Sequence, residues 1–202
     1  MTQHPQRTTA RLSLRALSDD DFAEFHALYS DPRTWRHSPH QVYTDPGLSR
    51  RHLAMVQQGW DSQGSGSWAA RLLEPLAELS AGTLVGVGGI DVTCGGVAQG
   101  AWNLGYRLIP EAWGYGLATE LARAGLESAA TIRPERPVIG RVQDKNPASI
   151  RVLERVGLDV QWRGGRVMDL PPGAPPNGDP PRRIYADRPL SAAMLSALVS
   201  LG

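Results

Sequence analysis

The sequence predicts an α/β fold, of the α+β kind, built on one central mixed sheet of about six to seven strands with flanking helices. Three observations carry that expectation. Short stretches near residues 11–15, 68–73, 84–92 and 101–108 read as strands, by polar–apolar alternation or by apolar content bounded by turns. Longer stretches repeat apolar residues every three or four positions, as one face of a helix does. From 101 to 162 the two patterns alternate strand, helix, strand, helix, strand, which implies a right-handed crossover and a parallel pair within the sheet. At 202 residues, 41% hydrophobic and 20% charged, the chain can bury ~70% of its unfolded surface and needs no metal or disulfide to hold a core.

The elements follow in order. Residues 1–10 are polar and read as a flexible N-terminus, with the main domain expected over 11–190 and a helical extension over 191–202. Arg11-Leu-Ser-Leu-Arg15 alternates at period two. Ser18-Asp-Asp-Asp21 then supplies an N-cap and an acidic first turn for a helix over Asp19–Tyr29, which Asp31-Pro32 stops. Prolines at 32, 39 and 46 interrupt the next segment before a helix over Leu48–Trp60. Trp68–Leu73, Leu84–Val92 and Ala101–Leu108 make an antiparallel meander. A helix follows over 116–131, then a strand over Pro137–Val142, a helix over Pro147–Val156 ended by Gly157, and a strand over Leu158–Trp162. The proline-rich run 171–181 suits an extended surface loop leading to a strand at Arg183–Ala186. Ala192–Leu201 carries Met194, Leu195, Leu198 and Val199 on roughly one side of a helix, which packs on its own domain or forms a homodimer contact.

Composition excludes several functions. Lys+Arg of 21 against Asp+Glu of 20 leaves +1, too balanced for a nucleic-acid-binding face. The apolar runs fall short of the ~18 residues that span a membrane, and Met1–Ala10 has no hydrophobic core for a secretory signal, so a cytoplasmic address and no membrane partner are expected. Cys94, the single cysteine, excludes an intrachain disulfide and any multi-cysteine zinc site, and reads as a small buried hydrophobe. His37 and His40 are separated by Ser38-Pro39, which spoils a helical metal pair, so no metal is expected.

The chemistry concentrates in Leu108-Ile-Pro-Glu-Ala-Trp-Gly-Tyr-Gly-Leu-Ala-Thr-Glu120, where a strand ends at a proline, turns through two glycines and enters an amphipathic helix. Gly114 and Gly116 permit close approach of a ligand, and the amides of the first helical turn, with the helix dipole, suit a phosphate. The run lacks the Gly-Lys-Ser/Thr of an ATP loop, and Thr119 stands where a dinucleotide fingerprint needs its third glycine; Gly86-Val-Gly-Gly89 fails the same test at Asp91. Two glycines before a helix are also compatible with a purely structural turn.

With Asn146-Pro-Ala-Ser-Ile-Arg-Val-Leu-Glu-Arg-Val-Gly-Leu158 in the right order behind it, this segment resembles the GNAT superfamily of acyl-CoA-dependent N-acetyltransferases over residues 11–190. Pro110–Glu120, Leu12-Ser-Leu-Arg15 and Ile150-Arg-Val-Leu-Glu154 are similar to the Rim-type branch, which acetylates N-terminal amines of ribosomal proteins. The resemblance implies a GNAT-like fold with a splayed parallel strand pair and acetyl-CoA as cosubstrate. Its expected binding residues are Leu108, Ile109, Trp113, Gly114, Tyr115, Gly116, Leu117, Ala118, Thr119, Asn146 and Ser149. Pantetheine would lie in the splay, with an amide near Leu108 or Ile109 polarising the thioester oxygen.

Three departures bear on mechanism. Glu111 stands where many members carry Arg or Gln, Leu158 replaces a Phe, and Leu153 replaces the tyrosine that many members use as general acid. Ser149 is therefore expected to donate to the departing thiolate and Asn146 to hold the pantetheine arm, although both residues also suit helix capping. Asp91 and Glu111 are expected bases, acting through water. Trp35, His37 and Trp102 are expected on the acceptor side, where Trp60 and Trp113 are further candidates. The expected reaction is acetyl transfer to a primary amine, with a protein N-terminus as leading acceptor. A small amine substrate, or a non-catalytic acyl-CoA-binding module, are the alternatives.

Overall fold

The computed structural model of the chain describes residues 6–92, 98, 100–165 and 181–201. Cys94 and all but the last residue of the proline-rich run lie outside the described residues. Among the described residues the architecture is mixed α/β, with one open sheet of eight strands and five α-helices. The strands are β1 (Arg7–Thr8), β2 (Leu12–Ala16), β3 (Ser67–Leu72), β4 (Leu84–Val92), β5 (Trp102–Leu108), β6 (Val138–Gln143), β7 (Asp159–Gly164) and β8 (Arg182–Ala186). They lie in the order β1-β2-β3-β4-β5-β6-β8-β7, and only β5 and β6 run parallel. The helices are α1 (Phe22–Ser30), α2 (Pro46–Gln63), α3 (Leu117–Ile132), α4 (Pro147–Arg155) and α5 (Ala192–Ser200).

Several boundaries differ from the sequence expectation: α1 begins at Phe22 after a 3-10 turn over Asp19–Asp21, and β7 runs on from the expected end at Trp162 to Gly164. The strand beyond the expected six or seven is β1, inside the segment read as flexible. Arg7 donates to the Ala124 carbonyl and pairs with Glu127, while Thr9 Oγ1 donates to Glu120 at 2.6 Å, so polar contacts tie this segment to α3. Helix α2 also starts earlier than Leu48. Pro46 occupies its first turn, where a missing N–H costs nothing, and the Asp45 side chain caps it by accepting from Gly47 N.

The sheet's midline positions the site. β4 and β5 pair along their full length, from Val92↔Trp102 to Gly86↔Leu108. β5 and β6 pair only at Trp102↔Val138 and Asn103↔Ile139 and then part. The far half of β5 thus has a partner on one edge and an open gap on the other. Helix α3 presses close to this region because position 125 is glycine: a Cβ there would lie 2.9 Å from Leu104 Cδ1. On α4, Leu153 is buried and sits against Gly140 of β6, where a Cβ would approach it to 2.5 Å. Near α1, the fully buried Asp21 carboxylate is held by Arg15 and Arg71, fixing the helix start to β2 and β3.

Candidate active site

Hydrogen bonding along β5 decides which groups face the gap. Ile109 N–H donates to the Val85 carbonyl at 3.0 Å, while Trp102 N–H donates the other way, to Pro137 of the β6 side. Because alternate amides of a strand point to opposite edges, the amides of Tyr106 and Leu108 turn toward the gap and that of Ile109 does not. The expected role of Ile109 as an amide donor to a thioester is thereby corrected: Val85 already holds its hydrogen.

The turn after β5 is braced from two sides. Trp113 Nε1 donates to the Leu108 carbonyl at 3.0 Å, and Arg11 donates to the Tyr115 carbonyl at 2.8 Å while pairing with Glu120. Gly114 and Gly116 adopt φ of +87° and +80°, and no protein atom lies within 4 Å of a Cβ built on Gly114. Gly116 caps α3, and the amides of Leu117 and Ala118 head that helix with no preceding turn to bond. Left-handed backbone, open space and free helix-head amides together fit a diphosphate group.

Across the gap, Asn146 caps α4, its Oδ1 accepting from Ser149 N at 3.1 Å. The capping role falls on Asn146, which leaves Ser149 Oγ for other work. Tyr106, from β5, brings its hydroxyl to 2.9 Å from Ser149 Oγ and 3.1 Å from the Ser149 carbonyl. Burial pushes the Tyr106 phenol up to about 12 against the opposing hydrogen bond from Ser149, so it keeps its proton at neutral pH. A tyrosine hydroxyl is thus present beside Ser149 although Leu153 carries none. The sequence analysis missed Tyr106, since only period-two alternation of β5 hinted which way it faced and nothing linked it to a residue 43 positions away.

The third wall comes from the turns between α1 and α2. Here Arg107, the neighbour of Tyr106 on β5, projects to the opposite sheet face. Its Nη1 donates to the Thr34 carbonyl at 2.6 Å and to Thr34 Oγ1 at 3.1 Å, and its guanidinium lies 3.5 Å from the Trp35 ring centroid. His37 lines this wall; burial, aided by Arg107, lowers its pKa and keeps the imidazole neutral. The cleft, open to solvent, measures about 800 Å³.

The structure brings Leu108, Trp113, Gly114, Gly116, Leu117, Ala118, Thr119, Asn146, Ser149 and His37 to the cleft, and not the remaining expected residues. Ile109 and Tyr115 contribute at most backbone to the flanking turn. Trp35 is buried beneath Arg107 with its indole N–H on the Tyr29 carbonyl. Trp102 is fully buried in the core with Arg136 over its ring, and Trp60 packs on Trp68. Glu111 is exposed and paired with Arg33, which helps hold its carboxyl below the usual range. Asp91 accepts from Ser67 Oγ at 3.0 Å, outside the cleft lining, and burial raises its pKa. Among the described residues no group of three His, Cys, Asp or Glu is placed to hold a metal, and no helix is long and apolar enough to cross a membrane.

An acetyltransferase (GNAT) domain model matches residues 11–159. The chain belongs to the GNAT acetyltransferase family. It is accordingly an acyl-CoA-dependent acetyltransferase, and acetyl-CoA is its cosubstrate. A protein of Bacillus subtilis (strain 168), YkkB, described as uncharacterized, is 27% identical over 164 residues, covering 78% of this chain and 87% of its own. An acetyltransferase from Agrobacterium tumefaciens str. C58 superposes with a TM-score of 0.67 at 24% identity, over 92% of this chain and 95% of that one. The ribosomal L7/L12 α-N-protein acetyltransferase RimL, in complex with coenzyme A, gives 0.64 at 17% identity over 89% and 95%. A chimera of spermidine N-acetyltransferase SpeG from Vibrio cholerae and hSSAT gives 0.63 at 14% over 92% and 99%. Such identities establish the GNAT fold and do not single out the Rim-type branch.

Proposed function

We propose that this GNAT enzyme transfers acetyl from acetyl-CoA to a primary amine by direct attack on the thioester, and that the acceptor is the N-terminal amine of a protein or peptide. The observation that carries the mechanism is the open edge of β5, whose Tyr106 meets Ser149 of α4 across the gap. An amide of Leu108 or Tyr106 on that edge donates to the thioester oxygen as negative charge develops. The amine nitrogen bonds to the carbonyl carbon, the carbon–sulfur bond breaks, and the thiolate leaves. Ser149 Oγ donates to the sulfur while Tyr106, protonated, donates to Ser149 Oγ. A thiol of pKa ~8.5 leaves readily enough that this hydroxyl pair serves in place of a stronger acid.

The acceptor reading rests on how little base the cleft offers. Glu111 is engaged by Arg33 and Asp91 lies outside the lining, leaving neutral His37 as a proton acceptor on the third wall. At pH 7 an α-amine of pKa ~8 is roughly 10% neutral, and a lysine amine of pKa ~10.4 only about 0.04%. A weak base therefore serves an N-terminal amine far better than a lysine side chain. RimL, a fold neighbour, is described as acting on such an amine.

A ligand that binds only the folded state adds ~2.7 kcal/mol of stability at a hundred times its Kd. Acetyl-CoA at that level is expected to raise Tm by several degrees, and NAD or ATP to do much less. Free-CoA release measured over N-terminal peptides, lysine side-chain analogues and polyamines then tests the acceptor. Absence of a thermal shift overturns the cosubstrate site, whereas turnover restricted to polyamines overturns the N-terminal acceptor alone.

A further inference from the structure

The charge of the cleft wall is one-sided. Eight basic side chains line it and, among the described residues, no Asp or Glu does. Some of these cations belong to the α4 side, where Lys145, Arg151 and Arg155 line the cleft and have phosphate groups of the cosubstrate to meet. The third wall has no such explanation. Arg33 there is matched by Asp31 and Glu111, but among the described residues no carboxylate pairs with Arg107.

Arg107 is also the most deliberately held. Its guanidinium lies 3.5 Å from the Trp35 ring centroid and 5.2 Å from that of Tyr29, with Nη1 tethered to Thr34. Stacking fixes the plane of the fork and Thr34 its rotation, while the guanidinium has five N–H donors in all. Taking such a charge partly out of water without an anion is unfavourable, and a ligand oxyanion would relieve that cost. Because neighbouring strand residues point to opposite faces, Arg107 projects away from Ser149 and α4, toward the wall where His37 stands. The cation is thus placed for the acceptor and not for the cosubstrate.

We infer that the acceptor is a primary amine carrying an oxyanion, a carboxylate or phosphate, close to its nitrogen, and that Arg107 receives it. This inference rests on the acetyltransferase reading. It also explains what the cleft rejects: a polyamine would bring two or more ammonium groups against a wall with no carboxylate, where like charges are desolvated together. The oxyanion has three chemical sources: the α-carboxylate of a free amino acid, an acidic residue beside a peptide N-terminus, or a phosphate on a small amine.

The test uses the full chain with acetyl-CoA and three matched acceptor pairs: serine and serinamide, the peptide amides Ser-Asp-Gly and Ser-Asn-Gly, and phosphoethanolamine and ethanolamine. CoA release should favour the oxyanion member of at least one pair by tenfold or more in kcat/KM, and the winning pair identifies the source. R107Q should bring that ratio to within about twofold of unity, with acetyl-CoA affinity by calorimetry close to wild type. R107K, which keeps the charge without the flat fork, should fall between. Equal use of both members of every pair by the wild type, or an R107Q enzyme that keeps the preference, overturns the inference. The wild-type ratio decides even if R107Q folds poorly. Failure of acetyl-CoA to bind the wild type would instead overturn the acetyltransferase reading on which this rests.

Discussion

The two sides of the cleft are assembled in different ways. The cosubstrate side runs through Leu108–Glu120 without a break and then through the single run Asn146–Leu158. The acceptor side takes Thr34 and Trp35 from one turn, His37 from the next and Arg107 from the far end of β5, residues about 70 positions apart joined by a hydrogen bond and a stacked cation. A contiguous run can be recognised by spacing, because helix heads and glycine turns are local objects whose geometry follows from a few neighbouring residues. A surface gathered by folding carries no such spacing. The contiguous runs of the first side stood out in the sequence, although Tyr106 did not; on the second side His37 was expected, but Arg107 and its partner Thr34 became visible only when the sheet brought them together.

The largest expected effect tests the cosubstrate side. S149A should lower kcat and kcat/KM together by about 10- to 100-fold, ~1.4–2.7 kcal/mol of transition-state stabilisation, with acetyl-CoA affinity and Tm nearly unchanged. Asn146 holds the cap, so removing the Ser149 hydroxyl leaves the helix start intact. Y106F should act in the same direction by about threefold to tenfold, since it removes only the donor behind Ser149. A fall in Tm with kcat preserved in S149A would make Ser149 structural and leave backbone polarisation and solvent as the mechanism.

Next in size is the glycine turn. G114V and G116V force a β-branched residue into left-handed backbone, which costs ~1–2 kcal/mol whatever space is available, and so each should lower Tm by a few degrees. Each should also weaken CoA binding tenfold or more, by filling the space before the helix-head amides. Strain and site are separated by G157V. Gly157, at φ +87° and equally free of neighbouring atoms within 4 Å, ends the α4 segment outside the cleft lining, so its replacement should lower Tm alike and leave CoA affinity alone. If all three variants lose affinity together, the turn acts through stability and not as an anion site.

Legibility followed the same division across the fold. The strand–helix alternation from β5 to β7, the acidic cap of α1 and the parallel pair were all readable, because each depends on local pattern or on a handedness rule. β1 escaped because two residues have no period; it is defined by its antiparallel pairing with β2 and braced by Arg7 and Thr9 reaching α3 more than 100 positions away. Trp102 was expected in the acceptor cleft and is core, since composition cannot say which face of a strand a tryptophan takes when both faces are covered. Ile109 was expected to donate to the thioester and instead serves β4, because the direction of an amide depends on which neighbouring strand it meets. Arg107, the single arginine of β5, looked like any other polar strand residue until Trp35 and Thr34 were found around it.

The smallest expected effect sharpens the same contrast, because it concerns a residue that lies within the legible run but works, if at all, for the other side. Glu111 follows Pro110 in the turn and was an expected base; in the structure it is exposed and shares Arg33 with Asp31. A carboxylate whose pKa is lowered by a backbone hydrogen bond and a neighbouring guanidinium is a weaker proton acceptor than a free one, and an exposed pair of this kind contributes little to stability. E111Q should therefore change kcat/KM by less than about twofold between pH 6 and 9, and leave the shape of the pH profile as it was. A true base at this position would behave otherwise: its removal would cut kcat/KM by about a hundredfold and erase the acidic limb of the profile. Parallel profiles of wild type and E111Q on the best acceptor separate the two. A hundredfold loss would move the proton-accepting step from the His37 wall to the turn, and would make the cosubstrate side responsible for both ends of the reaction.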